Sequence, residues 1–171
     1  MTTLRTEPLT QAAFAPFGDV LDCVGDPDKI INAGACGRWH DRARLDFGPQ
    51  GRAGISLFNA QPRSLPHICD LLERHPEGSQ AFIPMHRNEW LVIVAPDAGG
   101  QPGQPRAFLA APGQGINLHR GTWHGVLTPL HAPGLFAVVD RIGATPNLHE
   151  VPVDPPITVT RGPKAGHDRD R

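Results

Sequence analysis

The chain has 171 residues, 39% of them hydrophobic and 19% charged, with a formal net charge of −1. That length fits one domain able to bury its own core, and the composition is globular rather than disordered. Lys and Arg are scattered, the pI is near 6.7, and no apolar run approaches 18 residues, so neither a nucleic-acid footprint nor a membrane-spanning segment is expected.

The 19 Gly and 19 Pro fall between short apolar runs, the pattern of many short strands joined by turns. A short helix is expected within Leu9–Phe17, capped by Thr10 and ended by Gly18, followed by a first strand over Asp19–Cys23. Gly25–Gly37 reads as a polar loop. Further strands are expected at Arg38–His40, Gly54–Asn59, Ala81–Met85, Trp90–Ala95, Arg106–Ala111, Gly115–Leu118, Trp123–Leu127 and Leu135–Asp140. Trp90–Ala95 (WLVIVA) is continuously apolar and should be buried on both faces. Leu65–His75 fits both a helical stripe and an extended chain; Pro76 disfavours helix at His75 and favours a strand for the second half. Residues 97–105 (DAGGQPGQP) read as a hairpin loop. Residues 1–160 thus form one domain, and the charged stretch 161–171 reads as a disordered tail. Cys23, Cys36 and Cys69 are odd in number and lack a CxxC spacing. With no signal-peptide pattern, they point to free thiols in a cytoplasmic protein.

Two segments place unusual polar residues beside apolar strands. On an extended chain Glu73 and His75 share one face, and the turn Pro76–Ser79 returns the chain so that Gln80 reaches the same space. His119-Arg120-Gly121-Thr122-Trp123-His124 is a turn that delivers His124 onto a new strand. Glu73, His75, Gln80 and His124 are therefore expected to converge on one small-molecule pocket.

The spacing resembles the two motifs of the cupin barrel, with Glu73, His75 and Gln80 in the first and His119, Gly121 and His124 in the second. The resemblance implies a mainly β fold, a cupin-type jelly-roll barrel with few short helices, whose ligand positions face the lumen. Glu73 and Gln80 stand where cupins usually carry His and Glu. The set reads either as a divalent-metal site through His75, His124 and Glu73, with Gln80 beside them, or as a metal-independent acid/base pair. More closely, LERHPEGSQAFIPM (72–85), GINLHRGTWHGVL (115–127), VVDRIG (138–143), INAG (31–34) and RWHD (38–41) resemble the ureidoglycolate lyase family.

That resemblance implies a homodimeric enzyme of allantoin (purine) degradation that cleaves (S)-ureidoglycolate to glyoxylate and urea, with nickel as the associated metal. Cleavage needs a base for the substrate hydroxyl and an acid for departing urea, which assigns His75, His124 and Glu73 to catalysis or to metal binding. The substrate carboxylate calls for an arginine, with Arg141, Arg120, Arg74 and Arg38 as candidates. Gln80 and Asn117 are candidates for the urea amide, and His40 for an approach to the partner subunit's pocket. Gly125 follows His124 where a second His is often expected, so no proton-transfer role is carried over to it. A non-catalytic cupin that senses a small carboxylic acid is the competing reading. A metal-dependent cupin isomerase or dioxygenase would need a more complete His/Glu set.

Overall fold

A computed structural model describes residues 2–163. Its strands are, in chain order, β1 (Thr2–Arg5), β2 (Glu7–Pro8), β3 (Gly18–Leu21), β4 (Lys29–Ile31), β5 (Cys36–Arg38), β6 (Arg52–Asn59), β7 (His67–Arg74) and β8 (Gln80–Pro84). They continue with β9 (Trp90–Ala95), β10 (Arg106–Ala110), β11 (Gly115–Leu118), β12 (Trp123–His124), β13 (Thr128–Pro129), β14 (Leu135–Ile142) and β15 (His149–Thr160). The single helix α1 (Gln11–Phe14) is capped by Thr10, whose hydroxyl accepts the Ala13 N–H at 3.2 Å, as the sequence indicates.

The strands form a cupin-type jelly roll. One sheet runs β1-β15-β7-β12-β9-β10-β2, with β13 also on β9; the other runs β3-β11-β8-β14-β6. The first sheet is rolled so that its two ends meet. β1 lies parallel to β15 while β2, only one residue later, lies parallel to β10, so one continuous segment serves both ends. Thr6 makes the corner: its N–H donates to the Thr160 carbonyl at 2.9 Å, and its hydroxyl accepts the Gly162 N–H at 2.9 Å.

β9 explains why the sheet rolls. All six of its residues are buried, so the apolar run needs cover on both faces. Trp90, Val92 and Val94 face a core shared with Phe82, Phe108, Ile116 and Phe136 of the jelly roll. Leu91, Ile93 and Ala95 face a second core with Leu72, Trp123, Ile157 and Val159, inside the rolled sheet. Phe14 of α1 packs edge-on against Phe108 at 5.5 Å and plugs the first core.

The structure adds elements that the sequence reading missed. A two-stranded hairpin, β4–β5, that pairs with neither large sheet runs through the expected 25–37 loop and ends at Arg38, so the strand expected at Arg38–His40 does not extend past that residue. β1, β2 and the long β15 were not anticipated, and Leu65–His75 is strand over His67–Arg74. Residues 164–171 of the expected tail lie outside the described residues. Before them Arg161 pairs with Glu89 and Gly162 is bound to Thr6. Among the described residues no helix is long and apolar enough to cross a membrane.

Candidate active site

The site forms where β12, only two residues long, bridges β7 and β9. His124 lies opposite Glu73 on one side and Val94 on the other. Alternation along β12 sends Trp123 into the second core and His124 to the opposite face, toward the jelly-roll lumen. The two sequence motifs are tied directly: Gly121, in a turn at φ +77, donates its N–H to the His75 carbonyl at 2.9 Å. The His75 and His124 ring centroids are 5.4 Å apart. One ligand atom from each of Glu73, His75 and His124 falls within 4.8 Å of the others.

Backbone carbonyls decide which ring nitrogen of each histidine is free. His75 Nδ1 lies 2.6 Å from the Asn147 carbonyl oxygen, and His124 Nδ1 lies 3.0 Å from that of Gly125. A carbonyl only accepts, so both Nδ1 atoms carry the proton and both Nε2 atoms present lone pairs. Those Nε2 atoms are buried without a protein partner. Burial pushes the His124 pKa down to about 4, with the Gly125 carbonyl opposing and His75 adding to the shift. Burial raises the Glu73 pKa; His75 opposes this and Glu150 adds to it. Two unprotonated imidazole nitrogens clustered with a half-buried carboxylate are a donor set suited to a divalent transition metal.

Gln80 faces the same lumen from β8, next to Phe82 of the first core by alternation. Its amide N–H donates to Asp140 at 3.3 Å, leaving a buried Oε1 with no partner. Asn117 does not join it. Ile116 and Leu118 take the lumen side of β11, so Asn117 points to the outer face, where its amide donates to Asp19 at 2.9 Å and to the Arg44 carbonyl at 3.0 Å.

The arginines separate by their partners. Arg141 follows lumen-facing Asp140 and so leaves β14 on the outer side, where its side chain is only 2% exposed. It donates to the Phe47 carbonyl at 3.1 Å and to Thr145 at 3.0 Å, and pairs with Glu77 at 3.3 Å. Arg74 lies over the Trp123 ring and pairs with Asp97, on the face turned away from His124. Arg38 is exposed on the separate hairpin, and His40 just beyond it is exposed, its N–H bound by Asp28. Arg120 alone combines proximity with freedom. Its Nε donates to the carbonyl of Pro76, the residue after His75, at 2.7 Å, while its Nη1 is 3.8 Å from Asp46 and the side chain is 44% exposed.

Asn147, Glu77 and Thr145 were missed by sequence reasoning. Asn147 reaches His75 across 72 positions, with no local signal to mark it. Below the single Glu73–His124 pair, β7 is not joined to β12. A groove of about 480 Å³ opens there between Arg63–Leu71 and Gly125–Val126, so it reaches the chain next to His124.

A family model described as ureidoglycolate lyase matches residues 1–160. A ureidoglycolate lyase of Rhodobacter capsulatus is 62% identical over 159 residues, covering 93% of this chain and 99% of the relative. One of Mesorhizobium japonicum is 50% identical, and ureidoglycolate lyase 2 of Rhizobium meliloti 48%, each over 88% of this chain and 93% of the relative.

The low His124 pKa has a measurable consequence for the metal-free protein. Between pH 6.5 and about 4 the unfolded chain takes up a proton that folded His124 refuses, so stability falls as pH drops through that window. Acting alone, His124 contributes a loss of about 3 kcal/mol. Glu73 works in the opposite sense, since its raised pKa favours the fold at low pH and that gain is lost as pH rises through it. Urea unfolding of wild type at pH 7 and pH 5 should show about 2 kcal/mol of that loss, and His124→Gln should flatten it.

Proposed function

The chain belongs to the ureidoglycolate lyase family, and on that premise we propose that it cleaves (S)-ureidoglycolate to glyoxylate and urea. The observation that carries the reading is the cluster of Glu73, His75 and His124, in which Glu73 Oε1 lies 3.8 Å from His124 Nδ1 and both histidine Nε2 atoms are buried without a partner. Such a site needs an occupant that accepts lone pairs or gives up a proton, and a carbinolamine hydroxyl supplies one.

We propose that Glu73, His75 and His124 hold a divalent ion, nickel by family resemblance, with the Gln80 Oε1 available beside them. When bound, the ion supplies Lewis-acid polarisation of the substrate hydroxyl oxygen. The chain's own groups do the rest. The carbonyls of Asn147 and Gly125 keep the two Nε2 atoms unprotonated, and the apolar walls from Phe82 and Val94 exclude water. Arg120 holds the substrate carboxylate beside His75, and Gln80, oriented by Asp140, bonds the urea amide. His124 does not serve as the acid, because with its pKa pushed down to about 4 the ring is neutral near neutrality and its one proton is held on Nδ1 by the Gly125 carbonyl. In a metal-free reaction His75 Nε2 would take the hydroxyl proton and Glu73, its pKa raised, would give one to departing urea.

The active form is proposed to be a homodimer in the cytoplasm. Leu57 of β6, 66% exposed, stands in register with Ile83 of β8 across Ala137 of β14, and Ile55, 77% exposed, lies two residues along the same outer face, so the three form an apolar strip on the five-stranded sheet. An exposed apolar strip of this kind is normally covered by another protein surface. Cys23, Cys36 and Cys69 are free, as suits a reducing compartment.

Urea and glyoxylate release from ureidoglycolate, measured after chelation and again with nickel or manganese restored, tests the reaction. Turnover should be lost on chelation and regained with metal. Full activity without metal would transfer the chemistry to His75 and Glu73, while saturable binding with no urea release would make the protein a sensor. In the same assay Arg120→Ala should lower kcat/KM by about 10–100-fold through loss of a charged hydrogen bond to the carboxylate. In sedimentation, wild type should run as a dimer and the double variant Ile55→Lys, Leu57→Lys as a folded monomer.

A further inference from the structure

We infer that the segment between β14 and β15, residues 143–148, is a strap that fixes the tautomer of His75, and that Arg141, Glu77 and Thr145 are positioning residues acting through Asn147. The inference rests on the reading of Glu73, His75 and His124 as the reactive site, but not on which reaction occurs there.

The carbonyl of Asn147 touches the His75 ring, and the Asn147 side chain and nearby Thr145 both tie this segment to Glu77. Asn147 Oδ1 accepts the Glu77 N–H at 2.7 Å. The Thr145 hydroxyl donates to Glu77 Oε2 at 2.7 Å and accepts from Arg141 Nη2 at 3.0 Å. The same Nη2 lies 3.3 Å from Glu77 Oε2, and Arg141 Nε binds the Phe47 carbonyl. Glu77 lies two residues after His75, so these bonds close a circuit: His75 to Glu77 along the chain, Glu77 to Thr145 and Asn147 across space, and Asn147 back to the His75 ring.

The circuit explains why a buried guanidinium sits here. Arg141 is enclosed by the 46–51 turn and by Gly78 and Gly143. A Cβ on Gly143 would lie 2.3 Å from its Nη1, and one on Gly78 would lie 2.8 Å from the Arg141 Cβ. Its charge is met by Glu77; Nη2 bonds Thr145 of the strap and Nε the Phe47 carbonyl, while the buried Nη1, beside Gly143, has no partner among the described residues. Arg141 therefore supports the strap from the outer side of β14, through Thr145 and Glu77. Without the Asn147 carbonyl, nothing among the described residues obliges His75 to protonate Nδ1, and a proton on Nε2 would remove the lone pair that the site presents.

The test is made on the full-length, metal-free chain by nitrogen-15 NMR of the histidine rings, with nickel titration by calorimetry on the same samples. Wild-type His75 should show a protonated Nδ1 and an unprotonated Nε2. Thr145→Val, at an exposed position, should give mixed tautomers and weaken nickel binding by about 10–100-fold, the usual cost of losing an outer partner of a ligating histidine. Glu77→Gln should do the same from the other side of the circuit, and Thr145→Ser should restore both readouts. A wild-type tautomer and nickel affinity in Thr145→Val and Glu77→Gln would overturn the inference, as would a wild-type His75 protonated on Nε2. A wild-type protein that releases no urea yet shows the tautomer dependence would remove the lyase reading and leave the strap standing.

Discussion

β9 is the constraint on which the rest of the structure depends. Six consecutive buried residues on an antiparallel strand need a core on each side, and a single sandwich supplies only one. The second core exists because β7, β15 and β1 curl behind β9 and the 2–8 segment closes the roll. Each Leu, Ile or Val buried in this way contributes about 1.5–3 kcal/mol, so both faces of β9 repay the ordering of the strands that cover them. The roll also dictates where chemistry can occur. At the short β12 the jelly-roll lumen, the second core and the edge of β7 come together.

At that junction the fold tolerates polar groups that an apolar core would reject. One β12 residue, Trp123, fills the second core and anchors its indole N–H on Asp97, while the next, His124, turns into the lumen with no room for charge. Burial moves the two neighbouring groups in opposite directions, favouring neutral His124 and protonated Glu73. A divalent ion would reverse the situation for Glu73 and suit His124 as it is, since a ligating imidazole must be neutral and a ligating carboxylate ionised. Groups whose desolvation is costly without a ligand become favourable once one is bound. The same carbonyl contacts that leave the Nε2 atoms partnerless thus prepare them for an electrophile.

How much of this was legible in the sequence depended on whether the signal was local. The WLVIVA run, the Gly115–Leu118 strand and the Thr10 cap were read from adjacent residues and stand where expected. The convergence of Glu73, His75 and His124 followed from two short motifs, each positioned by its own turn. Face assignment was harder. Asn117 and Arg141 each sit one residue from a lumen-facing neighbour, and a single step of strand parity sends both to the outer side. β15 was hidden because VPVDPP (151–156) breaks its alternation with prolines, and its pairing with β7 shifts register between Pro152 and Ile157. Asn147 carried no signal, since a backbone carbonyl acts whatever the side chain.

Gly125 turns on the same question of parity. A second histidine there would leave the chain on the side of Ile93 rather than on that of His124. Gly125 donates its N–H to the Ile93 carbonyl, and a Cβ built on it would stand 3.3 Å from the Ile93 Cβ. Ile93 belongs to the second core, whereas His124 lies beside Val94 of the first. A side chain at 125 would therefore press on Ile93 and occupy the groove beside β7. What the site takes from position 125 is its carbonyl, which holds His124 Nδ1, and glycine supplies that while keeping the groove open next to His124.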